Sequence, residues 1–476
     1  MSKLLAAYRG TGSKAHSPAL LLAVVLYEIR SGRHSPAQWH RDANECEPVR
    51  WLLRGSKVAR SCWYAFRDRV APLVPDFHQQ VLALALAADL TPATRAADDG
   101  TLVAANASRH TVVNLATLEK RSLVLSVAVA QDERQADLAS AGVCCTTAGS
   151  VTETSAQTPA LPAWLAASAA GRQQQHKRLE QGRQRLAELH AYNQKKWASK
   201  QKKADSILVS LSDPEAAVGR DKEKVFRPLY NVQVLADLDS PLILGYHVFA
   251  QQNDAGVLGT MLTQARQQLG HTLDLVLVDA AYASGSDLAD AQGEGVTVYA
   301  PVPGDGVTNP KQIPKREFIW SATEQKYICP QGHRLELEES WQEKRVGGSI
   351  KVWRYRCSPT HCQACPLQKR CTSTPTSGRA VTRQQHEELI EALRARMAQA
   401  ESKALYRLRS QKVELVNADF KEHRKLRRFS GRGLLRVSCE VGLTVLAHNL
   451  LIVMNGMNGD KKQAKEVDGR QGSQLT

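Results

Sequence analysis

The stretch Leu275-Val276-Leu277-Val278-Asp279-Ala280-Ala281-Tyr282 decides the fold class of this chain. Its first four residues are large and apolar, which is typical of a buried strand. An acidic residue follows at once, and a buried carboxylate costs free energy unless it binds a cation or accepts hydrogen bonds. The stretch therefore predicts an internal strand that ends with Asp279 at a crevice.

The segments around this strand alternate between strand and helix patterns. In chain order they are a hairpin over 230–248, a helix capped by Asn253-Asp254 and ending near Leu269, the strand itself, a helix over Asp287 to Ala291, and a strand over Val296 to Ala300. This order is typical of an α/β domain, a mixed sheet with helices on both faces. Carboxylates at strand ends in such sheets tend to face a crevice.

Upstream, residues 1–90 predict an all-helical unit. Ser17-Pro18 and Ser35-Pro36 each place an N-cap residue before a proline at the first helical position. A plain helical core and a DNA-binding domain both fit this pattern.

The turn Asp98-Asp99-Gly100 leads into a strand-like segment, Thr101 to Ala104. Because side chains alternate along a strand, only one of the two acids can face a given site. Taken alone, this turn is ordinary loop chemistry. Glu414 lies in a basic helical segment, where it could equally be the partner of an intrahelical ion pair.

The composition favours a polyanionic partner. The chain has 476 residues, enough for two or three domains, with a formal net charge of +16 and a pI of about 9.4. Such a charge attracts nucleic acid through counterion release. The longest apolar run, Ala19 to Tyr27, is about half the length that a bilayer span requires. We therefore expect a soluble, cytoplasmic protein with no membrane partner.

Three carboxylates from separate segments suit phosphodiester chemistry. Proteins usually cleave phosphodiesters with two divalent cations held roughly 3.5–4 Å apart by a few carboxylates. No short segment can surround two ions, so the ligands must come from different elements. Asp99, Asp279 and Glu414 meet that requirement in the sequence.

The motifs together resemble bacterial insertion-sequence transposases of the DDE class. The resemblance rests on Asp99-Gly100-Thr101 with Ala105-Asn106-Ala107-Ser108, Asp213-Pro214-Glu215, Tyr230-Asn231-Val232-Gln233, Asn253-Asp254, Asp279-Ala280-Ala281-Tyr282, Tyr406-Arg407-Leu408-Arg409, Val413-Glu414, Phe420-Lys421 and 428–434. Residues 17–72 are similar to the InsH-type helical domain that precedes the catalytic domain in this group.

The resemblance implies a ribonuclease-H-like catalytic fold in which Asp99, Asp279 and Glu414 hold Mg²⁺ or Mn²⁺. It also implies that Tyr406, Arg409 and Lys421 lie near the DNA. Two departures stand out: four residues separate Arg409 from Glu414 where many relatives have three, and Ala281 replaces a common Gly. Four further basic residues are expected to contact phosphates: Arg424, Lys425, Arg427 and Arg428.

The implied function is metal-dependent DNA strand cleavage at element ends, followed by strand transfer into target DNA. The partners would be the terminal inverted repeats, the target DNA and a second copy or more of the chain, as a homodimer or higher oligomer. The alternative is a catalytically inactive, transposase-derived DNA-binding protein. The presence of all three acids favours the enzyme.

A cysteine-rich segment predicts a structural zinc ion. Cys357, Cys362, Cys365 and Cys371 have the short separations of a tetrahedral zinc site, and Cys329 or His333 could substitute for one of them. Reduced, buried cysteines are the alternative.

The predicted organisation has seven parts. They are a helical DNA-binding domain 1–90, a first catalytic segment 91–142, a low-complexity linker and basic helical insertion 143–204, a central catalytic segment 205–302, a Cys-rich insertion 303–380, a C-terminal catalytic segment 381–456 and a disordered tail 457–476.

Overall fold

The computed structural model describes residues 2–8, 15–140, 162–195, 201–302, 312–345 and 348–472. The chain divides into two compact units. The first comprises residues 1–103 and 231–476, and the second comprises residues 104–230.

Six helices open the first unit: α1 (Ser2–Ala6), α2 (Pro18–Arg30), α3 (Pro36–Glu45), α4 (Glu47–Leu52), α5 (Arg60–Val70) and α6 (Val74–Ala87). The predicted start of α3 is confirmed, because Ser35 forms a capping box with Gln38. Ser17 occupies the N-cap of α2 without a side-chain hydrogen bond. The helices pack around two buried indoles, Trp39 and Trp63, whose rings meet edge to face.

Strand β1 (Arg95–Ala104) enters the second unit, which contains β2 (Val112–Val113), α7 (Leu115–Ser140), α8 (Ala169–Gln194), β3 (Val209–Ser210), β4 (Ala217–Arg220) and the start of β5 (Phe226–Asp237). Helices α7 and α8 share an apolar cluster that includes Leu118, Leu179 and Leu186. The basic helix α8 therefore packs against α7 through a few apolar side chains, including Leu179 and Leu186. Of the predicted linker, residues 143–161 lie outside the described residues.

The first unit continues with β6 (Ile243–Phe249), α9 (Leu258–Leu269), β7 (Leu275–Leu277), α10 (Gly285–Gly293) and β8 (Thr297–Tyr299). The sheet runs in the order β5-β1-β7-β8, and β6 pairs with β5. The predicted hairpin is confirmed, since β5 and β6 are antiparallel with Gln233 opposite His247. β1, β7 and β8 are parallel neighbours. The predicted mixed α/β architecture is therefore observed.

The predicted cap of α9 is wrong. The helix begins at Leu258 with Val257 at its N-cap. The carboxylate of Asp254 instead accepts hydrogen bonds from Asn231 and Gln233 on β5. A tertiary contact has replaced the local capping contact that the sequence pattern suggests.

The Cys-rich segment forms an antiparallel sheet in the order β13-β12-β11-β10-β9. Its elements are β9 (Ile319–Ser321), β10 (Lys326–Ile328), β11 (Arg334–Arg345), β12 (Gly348–Cys357), α11 (Pro359–Gln363), α12 (Gln368–Cys371) and β13 (Ala380–Gln384).

The first unit ends with α13 (Glu387–Ala398), α14 (Ala400–Tyr406), α15 (Leu408–Ala418), a π-helical turn (Asp419–His423) and α16 (Leu434–Gly472). The segment Leu434–Met457 is long and apolar enough to cross a membrane, but 67% of its most apolar window is buried against the rest of the protein. α16 extends to Gly472 where the sequence predicts a disordered tail, because Lys, Gln, Ala and Glu favour helix there. Residues 473–476 lie outside the described residues.

Candidate active site

Asp99 and Asp279 are carried by neighbouring parallel strands. The β1–β7 register pairs Ala97 with Leu277. Asp99 lies two residues further along β1, and Asp279 lies two residues beyond Leu277, at the start of the 3₁₀ turn that follows β7. The fold thus brings together two of the three predicted acids, which are far apart in sequence.

Helix α15 covers the carboxylate of Asp99. The Arg409 guanidinium donates to Asp99 Oδ1 at 3.0 Å, and the Asn417 amide donates to Asp99 Oδ2 at 3.0 Å. Both partners of the Arg409–Asp99 ion pair are mostly buried, with side chains 16% and 21% exposed. Arg409, predicted to lie near DNA, therefore binds a predicted metal ligand in this structure.

Tyr406 ends helix α14 and reaches the strand that precedes Asp279. Its hydroxyl donates to the carbonyl of Val278 at 3.2 Å, next to Asp279. Burial raises the pKa of Tyr406, Arg409 lowers it, and the charges of Asp279 and Asp99 raise it. Both carboxylates therefore lie within electrostatic range of the Tyr406 phenol.

Glu414 is exposed on α15, in the turn between Arg409 and Asn417. At 100° per residue, Glu414 lies 60° around the helix from Asn417 and 140° from Arg409. It therefore flanks the helix face that contacts Asp99. The structure leaves the third predicted acid beside the site rather than within it.

Asp98 faces the interior, as alternation along the strand predicts. It is fully buried, and neither carboxylate oxygen has a hydrogen bond of good geometry. Burial raises the pKa of Asp98 well above its usual range, and Asp99 and Asp254 raise it further. Arg409 and the backbone amide of Asp99 lower it.

A buried polar network lies behind the acids, and the sequence analysis did not assign it to the site. Tyr282 donates to Gln233 Oε1 at 2.5 Å, and Gln233 donates to Asp254 Oδ1 at 2.6 Å. Asn231 donates to the same oxygen at 2.7 Å. One signal was available: Asn231 and Gln233 are polar residues in a strand that is otherwise apolar, and both are buried.

The donor chemistry of this region suits a hard divalent cation, because the carboxylates of Asp99 and Asp279 both lie near Tyr406 and the Asp98 oxygens have no hydrogen-bond partner among the described residues. The present arrangement of these carboxylates does not form a metal site. Within the described part of the chain, no group of three or more His, Cys, Asp or Glu side chains could hold a metal ion. Asp99 would have to exchange its contacts with Arg409 and Asn417 for a cation.

The C-terminal basic residues differ from one another in exposure. Arg424 is buried and paired with Asp419 at 3.1 Å, so in this structure it stabilises the π-helical turn rather than presenting charge to solvent. Arg427 is exposed and paired with Glu422. Lys425 and Arg428 are exposed, and Lys421 is half-buried. An exposed basic surface at this position is therefore supplied by Lys425 and Arg428, without Arg424.

Four of the five clustered cysteines, Cys329, Cys357, Cys362 and Cys371, share one apolar cluster of the antiparallel sheet. Burial and neighbouring thiols raise the pKa of Cys357 to about 12, and burial raises that of Cys371. Zinc binds thiolates. In the part of the chain that the structure describes, these cysteines form no metal-holding group. The zinc site stays a prediction.

The family model described as the transposase DDE domain matches residues 328–453. No curated protein matches the chain. The matched region includes the Cys-rich sheet from residue 328 onward and helix α15 with Arg409, Glu414 and Asn417. Asp99 and Asp279 precede the matched region in sequence and lie near it in the folded chain. The C-terminal region of the chain is therefore similar to the transposase DDE domain over residues 328–453.

Proposed function

We propose that the chain is an active DDE transposase of a bacterial insertion sequence. It would cleave DNA strands at the ends of the element and transfer them into target DNA. The observation that carries the proposal is that Asp99 lies on β1 and Asp279 follows β7, its parallel neighbour, while Arg409 of the matched domain binds Asp99.

Asp99, Asp279 and Glu414 would hold Mg²⁺ or Mn²⁺. When bound, such ions activate the attacking oxygen and stabilise the leaving oxygen. Asp279 is exposed, and its carboxylate accepts the backbone N–H of Ala280, so it is oriented before any ligand arrives. Arg409 keeps a positive charge beside the acids, where a DNA phosphate could replace the carboxylate of Asp99 as its partner.

The amino-terminal helices would contact the ends of the element. Four cations around the α4–α5 turn are exposed and form no ion pair with any described residue: Arg50, Arg54, Lys57 and Arg60. Trp51 beside them is 78% exposed. Exposed cations and an aromatic ring suit contact with DNA phosphates and sugars. This surface supports the assignment of residues 1–90 to an InsH-type DNA-binding domain.

The mixed sheet, with Asp99 within β1 and Asp279 just after β7, supports a ribonuclease-H-like fold for the catalytic segments. Pairing two element ends would require a homodimer or higher oligomer. The net charge of +16 supports DNA as the partner of this assembly, which we place in the cytoplasm.

One observation favours the second candidate, an inactive transposase-derived DNA-binding protein. Asp99 is neutralised by Arg409 and hydrogen-bonded by Asn417, and Glu414 is exposed. A protein that had lost catalysis would keep the contacts of Asp99 with Arg409 and Asn417 when DNA is bound. In an active enzyme these contacts must break so that Asp99 can bind a cation.

A plasmid carrying the coding region and its flanking DNA distinguishes the two functions. The purified protein should nick or linearise this plasmid with Mg²⁺ or Mn²⁺, and Asp279→Asn should abolish cleavage while binding the same DNA nearly as tightly. Cleavage that survives in Asp279→Asn would refute the site. DNA binding without cleavage by the parent protein would favour the inactive candidate.

A further inference from the structure

The hydrogen bonds around Gln233 leave its side-chain amide one orientation. Its nitrogen donates to Asp254 Oδ1 at 2.6 Å and to Asn231 Oδ1 at 3.0 Å. An ionised carboxylate can only accept, so the amide nitrogen must face Asp254. The amide oxygen is thereby turned toward Tyr282, whose hydroxyl donates to it at 2.5 Å.

Each end of this network lies next to a predicted catalytic acid. Tyr282 belongs to the short 3₁₀ turn that begins directly after Asp279, and the amide of Tyr282 donates to the carbonyl of Asp279 at 3.0 Å. Gly100, directly after Asp99, packs against the other end. A Cβ at Gly100 would collide with the amide of Gln233 and the carboxylate of Asp254. Glycine is therefore required for β1 to approach the network.

The side chains that form the network are buried. Gln233, Tyr282 and Asn231 are 0–1% exposed, so their hydrogen bonds do not compete with water. Buried polar groups that lose a partner are costly. The turn that carries Asp279 is thus held to β5 by the Tyr282 contact, and β1 is held close by the absence of a side chain at Gly100.

We propose that Gln233 is a positioning residue for the candidate active site. It sets the distance between the Asp279 turn and β1, and hence the spacing of the two acids that would share divalent cations. Asp254 fixes the orientation of Gln233 through its negative charge. This inference rests on the proposed function.

A charge exchange tests the proposal. Gln233→Glu places two carboxylates face to face, and Asp254→Asn replaces an acceptor-only group by an amide that can present either its oxygen or its nitrogen to Gln233. In the double variant, an amide at 254 donates to a carboxylate at 233, which still accepts from Tyr282. Each single variant should reduce plasmid cleavage by about tenfold or more and raise the Mn²⁺ concentration that gives half-maximal cleavage. The double variant should recover most of the loss.

The matched control is Asn449→Asp, which makes the same chemical change at a fully buried amide that contacts Ile243. Urea unfolding should show that Gln233→Glu and Asn449→Asp are both destabilised. Only Gln233→Glu should change the half-maximal Mn²⁺ concentration. A merely structural role for Gln233 predicts that the two variants behave alike.

A second readout does not depend on cleavage. Mn²⁺ alone should raise the Tm of the parent protein but not that of Asp279→Asn. Gln233→Glu should lose this rise, and the double variant should regain it. If the parent shows the rise but does not cleave DNA, the proposed function fails and the positioning role stands. The positioning role is overturned if Mn²⁺ raises the Tm of neither the parent nor any variant, or if it raises the Tm of Gln233→Glu as much as that of the parent. It is also overturned if the rise in Tm of the double variant is no larger than that of the worse single variant.

Discussion

A buried carboxyl on α2 makes the stability of the amino-terminal helices depend on pH. Glu28 is 0% exposed. Burial, a hydrogen bond with the carboxyl of Asp42 and repulsion from its charge raise the pKa of Glu28 from 4.5 to about 7, although Arg33 lowers it. Arg33 lies 3.5 Å from Glu28 Oε1, too far to offset these effects. We expect Glu28→Gln to stabilise the protein at alkaline pH.

The magnitude follows from the pKa. A shift from 4.5 to about 7 corresponds to about 3 kcal/mol. The folded state holds the proton more tightly than the unfolded state, so ionisation of Glu28 opposes folding. This penalty is absent below about pH 4.5, grows between pH 4.5 and 7, and is complete above pH 7. Glutamine has no charge to bury, so the variant escapes the penalty.

Urea unfolding followed by tryptophan fluorescence measures the effect, because Trp39 and Trp63 are buried in the same group of helices. The stability difference between Glu28→Gln and the parent should rise by about 3 kcal/mol from pH 4.5 to pH 8. Glu45→Gln is the control, since Glu45 is 70% exposed and should give a flat difference. A difference for Glu28→Gln that does not change with pH would refute the reasoning.

Three further predictions concern function. Glu414→Gln should abolish plasmid cleavage although Glu414 is exposed, and unchanged cleavage would remove it from the site. Neutralising Lys425 and Arg428 should weaken binding to all DNA sequences about equally and flatten the salt dependence by roughly one unit per lost contact; an unchanged slope would mean that they contact no phosphate. Metal analysis of the purified protein should find one zinc that is lost in Cys362→Ser plus Cys365→Ser, and substoichiometric zinc in the parent would leave these cysteines as packed thiols.

Local sequence patterns predict much of the architecture. The period-two pattern from Tyr230 predicts the β5–β6 hairpin, and the apolar run before Asp279 predicts β7. Ser35-Pro36 predicts the start of α3. The hairpin and the helix cap depend on contacts between residues close in sequence, and the strand β7 is marked by its own apolar run, so short-range patterns are sufficient to find them.

The candidate site shows where local patterns stop being sufficient. Asp99 and Asp279 were predicted to converge by resemblance, but their alignment depends on the register between β1 and β7. Asn417 was missed because nothing in the sequence of a basic helix marks one residue as the partner of a distant carboxylate. The sequence predicts that Arg424 contacts phosphates, whereas packing of the π-helical turn buries it beside Asp419.

The sequence by itself determined the order of the elements, the basic charge of the chain and the presence of acidic residues in separate segments. Only the tertiary structure decided which of Asp98 and Asp99 faces α15, that Asp254 bonds Gln233 instead of capping α9, and that Gly100 must lack a side chain. The physical reason is that each of these outcomes is a competition between contacts from distant segments. A buried polar group takes the partner that the packed fold brings within hydrogen-bonding distance, and no local periodicity records which partner that is.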